Sequence, residues 1–176
     1  TLVYSVPPIR TKKRSWVGIL TIALARGFAL GFLGWMIPGG NVYTCIVIGA
    51  IYFAFIFCTA STKDFEDISG DKADQVRTPV IVHGEKRLRI LAAAGISSVW
   101  LLLSLLFISE PGLSVLAALP FMVIPLAGGI FGAVVIIKES SKKHKFYSWI
   151  VMYLLMITSH VSIFLIFLYG VVKNAS

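Results

Sequence analysis

"KDFEDISGDKADQVRTP", residues 63–79, places Asp64, Asp67, Asp71 and Asp74 between two stretches apolar enough to sit in lipid. Spaced 3, 4 and 3 residues apart, these aspartates fall within about an 80° arc of a helix, with Phe65, Ile68 and Val76 on a separate arc. Gly70 is expected to interrupt that helix, so the shared face is expected above all for Asp64 and Asp67, with Asp71 delivered by the turn. Like charges at such spacings repel and weaken an isolated helix by about a few tenths of a kcal/mol per pair. A hard divalent cation removes the conflict. Mg²⁺ takes oxygen ligands, keeps several waters and is commonly shared between one or two carboxylates and a phosphate. A solvated charged loop is the plainer alternative. An EF-hand does not fit, because Gly and the closing Glu do not stand at the positions that loop requires.

The flanking sequence sets the fold class. The chain has 176 residues, 57% of them hydrophobic and 14% charged, with a mean hydropathy of +0.88, whereas soluble domains are about a quarter charged. Five continuous apolar runs reach the roughly 20 residues needed to cross a bilayer: 16–36, 42–62, 88–108, 113–137 and 147–172. Each is bounded by a breaker or a charged loop, and none alternates as a strand would. The expectation is an all-α, polytopic transmembrane helical bundle. The start shows no cleavable-signal pattern, and the absent initiator Met suggests a chain that begins inside a larger protein. Cys45 and Cys58 share one run and read as small core residues. His83, His144 and His160 are too scattered for a histidine metal site.

All but two of the 16 Lys and Arg residues fall in the segments 1–15, 63–89 and 138–145, which five spans place on one side of the membrane. By the positive-inside rule that side is cytoplasmic, giving a multi-pass protein of the cell membrane with cytoplasmic loops 1–15, 63–87 and 138–146. The net charge of +8 then reflects topology and attraction for anionic lipid or substrate, and nucleic acid is a poor partner for loops this short. Arg26 lies roughly 15 Å inside the first run. An arginine there costs about 2.5–3.5 kcal/mol and normally faces a cavity or a partner. Ala23, Gly27 and Gly31, and Gly128 and Gly132, form flat faces for close helix packing.

The residues resemble the UbiA superfamily of intramembrane prenyltransferases. "D67-I-S-G-D71" is similar to that family's second aspartate-rich motif, D-x-x-x-D, in the extended form where Asp64 precedes the pair and Thr-Pro follows. The opening "YSVPPIRTKK" is similar to the segment that introduces the fifth span of those enzymes. Family members have nine spans and a first motif of the type N-D-x-x-D-x-x-x-D. That sequence does not occur here, so the resemblance is to spans five to nine, with an N-terminal half of the same protein as the expected partner. The resemblance implies Mg²⁺-dependent transfer of a prenyl group from a diphosphate to a lipophilic acceptor. It assigns Asp67 and Asp71 as Mg²⁺ ligands, to which Asp64 is added from its predicted face. Lys63, Lys72 and Arg77 become candidates for diphosphate contact, Tyr4 and Arg10 for the substrate border, and Arg26 for the acceptor. The extended aspartate segment looks most like that of archaeal members that attach geranylgeranyl to geranylgeranylglyceryl phosphate. An aromatic acceptor such as 4-hydroxybenzoate or another quinone precursor is the nearest alternative. A transporter or channel subunit is the alternative of another class, yet all eight Asp and Glu lie outside the apolar runs. The aspartate signature of phosphatidyl-transferring enzymes is missing, because Ile68 follows Asp67 where that signature has Gly.

Overall fold

The computed structural model describes residues 15–108, 115–138 and 145–175, in which helices occupy all five apolar runs and no β-strand occurs. Helix α1 spans Ser15–Met36 and helix α2 Val42–Thr59, the latter prolonged by a tighter 3₁₀ turn over Ala60–Phe65. Two short helices follow, α3 (Ile68–Ala73) and α4 (Pro79–His83). The long helices α5 (Glu85–Ile108), α6 (Val115–Lys138) and α7 (Lys145–Ala175) complete the chain. Among the described residues, Ser15–Met36 and Val42–Phe65 are the helices long and apolar enough to cross a membrane.

Local sequence explains the boundaries. Helix α1 ends where Gly39, at φ +92°, lets the Gly39 and Gly40 amides donate back to the Met36 and Trp35 carbonyls at 3.0 Å. Asn41 then caps α2, its Oδ1 accepting the Tyr43 amide at 2.8 Å. Pro79 opens α4 at a position where a missing N–H costs nothing. Gly84, at φ +88°, separates α4 from α5.

Packing runs α1 on α2, α2 on α5, α5 on α6 and α6 on α7. The small residues of α1 allow the first contact, since a Cβ at Gly27 would sit 2.6 Å from the Tyr52 carbonyl oxygen. Gly132 admits Val151 and Leu155 of α7 in the same way. Helix α7 returns to α2 through the Tyr52 hydroxyl, which donates to Ser159 Oγ at 2.8 Å. The core lies between α2, α5, α6 and α7, around Phe55, Leu88, Ile96, Trp100 and Ile136. Leu101, Leu105, Phe131 and Leu154 point outward, a surface that suits hydrocarbon better than water.

One cation is part of this core. Arg89, counted by sequence among the loop bases, belongs to α5 and is 6% exposed. Its Nε and Nη2 donate to Glu85 Oε1 at 3.0 and 2.8 Å. Its Nη1 donates to the Ile136 carbonyl at 2.7 Å and to Ser148 Oγ at 3.4 Å. The guanidinium also stands 4.5 Å over the Phe65 ring. Arg89 thus joins α5, the last turn of α6, the start of α7 and the end of the 3₁₀ turn.

Candidate functional site

The acidic segment is not one helix. Asp64 lies in the 3₁₀ turn, the chain breaks at Asp67 (φ −102°, ψ +18°), and Asp71 belongs to α3, whose first residue is Ile68. Gly70, the expected interruption, is inside α3. Its lack of a side chain has a different use: a Cβ there would collide with Asp67 Oδ1, so the Asp67 carboxylate folds over the α3 backbone. The break rotates the aspartates relative to one another, and the single 80° arc of the helical reading is not formed.

Beneath this segment, between α1 and α7, lies a cavity of about 700 Å³, within the size range of small-molecule sites. Asp64, Asp71 and Lys63 line it at one end, with Ser15 and Thr78. The Ser15 and Thr78 hydroxyl oxygens are buried and have no hydrogen-bond partner among the described residues. Buried polar atoms are rarely left so, and orphans on a cavity wall are places for a polar ligand group. Further in, the walls become apolar and aromatic: Ile19 and Ile22 from α1, Ile56 from α2, and Trp149, Met152, Tyr153 and Met156 from α7. Trp149 and Tyr153 meet edge to face at 5.0 Å between centroids.

Arg26 lies in this wall, eleven residues past Ser15 and roughly 16 Å along α1. Helix α1 is widened into a π-helical turn over Ala23–Phe28, which carries it. Such turns recur at functional sites because they re-aim a side chain without ending the helix. Arg26 Nη1 donates a long hydrogen bond, 3.4 Å, to the Tyr153 hydroxyl. The cavity therefore holds two charged levels, a mixed acidic and basic end and, further along α1, the Arg26 cation among apolar and aromatic side chains.

Of the residues singled out by sequence, the structure brings Asp64, Asp71, Lys63 and Arg26 to one cavity. Asp67, Lys72 and Arg77 are exposed on the same segment and do not line it. Tyr4 and Arg10 lie outside the described residues. Sequence reasoning missed Thr78 and Tyr153. Thr78 stood in the quoted motif only as part of the Thr-Pro that follows the aspartates, whereas Tyr153 belongs to Trp149, Tyr153, Met156 and His160, whose 4, 3 and 4 spacing marks one helix face.

No group of three or more His, Cys, Asp and Glu side chains able to hold a metal ion occurs among the described residues. Asp64 and Asp71 together offer a carboxylate pair at one end of the cavity. That donor set fits Mg²⁺ shared with a phosphate-bearing ligand and waters, and does not fit an all-protein metal cage.

An all-helical intramembrane protein with an acid-rimmed, largely apolar cavity is the class that this arrangement defines. The chain belongs to the UbiA prenyltransferase family, which its residues 1–157 match. It is 34% identical over 122 residues to the digeranylgeranylglyceryl phosphate synthase of Methanothermobacter thermautotrophicus, a stretch covering 69% of this chain and 41% of that protein. It is 33% identical over 85 residues to the enzyme of the same name from Methanosphaera stadtmanae, covering 46% of this chain and 29% of the relative. To the chloroplastic homogentisate solanesyltransferase of Arabidopsis thaliana it is 30% identical over 103 residues, covering 51% of this chain and 25% of the relative. The matched stretches thus span less than half the length of these relatives. No solved structure matches it.

Proposed function

We propose that this chain is the C-terminal part, spans five to nine, of a multi-pass membrane prenyltransferase. In this reading it transfers a prenyl group from a polyprenyl diphosphate to a lipophilic acceptor, with Mg²⁺ as cofactor. One observation carries the reading: a single cavity holds Asp64, Asp71 and Lys63 at one end and apolar, aromatic walls with Arg26 beyond. A diphosphate needs the first, an isoprenoid chain the second. The N-terminal half of the same protein is assigned the first aspartate motif, and the basic loops are assigned to the cytoplasmic side.

In the proposed chemistry the allylic C–O bond breaks and pyrophosphate leaves with its electron pair. An acceptor oxygen then bonds to the allylic carbon and gives up its proton to the departing pyrophosphate or to water. Asp64 and Asp71 are the residues that would hold Mg²⁺, which when bound supplies Lewis-acid neutralisation of charge growing on the diphosphate. Lys63 adds a fixed positive charge at the same end, and the Ser15 and Thr78 hydroxyls offer hydrogen bonds to phosphate oxygens. Asp67, Lys72 and Arg77, exposed beside the cavity, are assigned to the rim where the diphosphate enters. Trp149 and Tyr153 present π faces that favour a developing cation and keep water from it.

Geranylgeranylglyceryl phosphate, with geranylgeranyl diphosphate as donor, is the acceptor proposed first. A cation in apolar walls needs an anion, and two relatives carry the name of that activity. An aromatic acceptor is the second reading, favoured by the homogentisate relative. The complete protein in membranes, given Mg²⁺ and both substrates, is expected to release pyrophosphate and form a doubly prenylated glycerol phosphate, and EDTA is expected to stop it. Arg26→Leu should raise KM for the phosphate acceptor about tenfold or more, the worth of one charge-assisted hydrogen bond, and leave KM for the donor nearly unchanged. Product with an aromatic acceptor alone moves the second reading to first place. No pyrophosphate with any acceptor rejects prenyl transfer.

A further inference from the structure

We propose that Leu30 and His160 form a partition that sets how long a prenyl tail this cavity admits, an inference that rests on the prenyl-transfer reading. A second cavity, of about 70 Å³, lies between α1, α2 and α7, lined by Gly31, Gly34, Trp35, Ile48, Tyr52 and Phe164 among others. Leu30 and His160 belong to the walls of both cavities. On α1, the main cavity is lined from Ser15 to Leu30 and the second from Leu30 to Trp35, with Pro38 just past the end of the helix. On α7, lining of the main cavity runs from Trp149 to Val161, and Phe164 takes over beyond His160. Both helices therefore place the two cavities one after the other along a common axis, with the acidic end furthest from the second. A tail whose diphosphate is held near Asp64 and Asp71 lengthens along that axis and reaches Leu30 and His160.

His160 is fixed in place. Its Nδ1 lies 2.8 Å from the Met156 carbonyl oxygen. Its ring centroid is 4.5 Å from that of Tyr52, which is itself held by Ser159. The lining beyond is largely apolar, and the space beside Gly34 is open, since a Cβ there would meet nothing within 4 Å. Hydrocarbon gains by entering such a space, and a fixed ring in the way makes that gain unavailable to the native protein.

The test is donor selectivity of the complete protein in lipid nanodiscs with farnesyl, geranylgeranyl and farnesylgeranyl diphosphates. His160→Ala and Leu30→Ala should each raise the kcat/KM ratio of the farnesylgeranyl over the geranylgeranyl donor by about tenfold or more, the discrimination that added hydrocarbon in an apolar pocket provides. Gly34→Leu, added to His160→Ala, should refill the second cavity and return the ratio toward that of the native protein. Leu30 is 54% exposed, so its truncation tests the partition should His160→Ala fold poorly. A loss of activity shared equally by all donors, or ratios unchanged in both variants beside normal native turnover, overturns the partition alone. Absence of native turnover with every donor overturns the prenyl-transfer reading, and the partition with it.

Discussion

Asp64→Ala and Asp71→Ala, made separately in the complete protein, are each expected to lower prenyl transfer by about 10²–10³-fold, the scale of removing one group aimed at transition-state charge. Neither should unfold the protein. Both side chains line the cavity and neither belongs to the hydrophobic core, so helical content by circular dichroism and the unfolding midpoint in detergent should stay close to native. Raising Mg²⁺ should recover part of the rate, because the remaining carboxylate and the diphosphate still provide oxygen ligands. Asp67→Ala should cost less, about tenfold, since its carboxylate folds over Gly70 outside the cavity lining. Near-normal turnover in both the Asp64 and Asp71 variants sinks the proposed metal site. A loss in Asp67→Ala equal to that in Asp71→Ala rejects the cavity lining as the guide to function and restores all three aspartates to one rank.

That contrast marks where sequence stops being readable. The helices were legible because lipid-compatible runs are continuous, far longer than strands, and closed by residues with fixed local consequences, such as Gly39 and Asn41. The acidic segment was legible in composition but not in direction. A periodicity argument assumes one helix, and Asp67 ends one local structure and begins another. Gly70 was a misleading signal: glycine there accommodates the Asp67 carboxylate and breaks nothing. Arg26 was found because a charge within an apolar run has few reasons to exist. Its π-helical turn and its Tyr153 partner depend on how closely α1 approaches α2 and α7, which no local pattern encodes. The same holds for the orphan hydroxyls of Ser15 and Thr78, ordinary in sequence and distinctive only once buried against a cavity.

Arg89→Met is expected to destabilise the folded protein by about 3 kcal/mol, toward the lower end for breaking a buried pair because Glu85 keeps partial access to solvent. The loss has three sources. Glu85 loses the two N–H donors now at 3.0 and 2.8 Å. The Ile136 carbonyl in the last turn of α6 loses a donor at 2.7 Å, where a cation also complements the helix dipole. Phe65 loses the cation above its ring. Met fills similar volume, so a cavity is not the cause. Arg89→Lys should recover part of the loss, because a point charge can serve one partner at a time and the guanidinium fork serves several. Combining Glu85→Gln with Arg89→Met should also be milder than the two single losses added, since the double variant leaves no carboxylate without its arginine. Phe65 adjoins Asp64 at the end of the 3₁₀ turn, so the Met variant should lose turnover along with stability, whereas Arg87→Met, on the exposed side of α5, should lose neither. Thermal unfolding in detergent measures all of these together. A Met variant that unfolds at the native midpoint shows that Arg89 does not hold α5, α6, α7 and the acidic turn together.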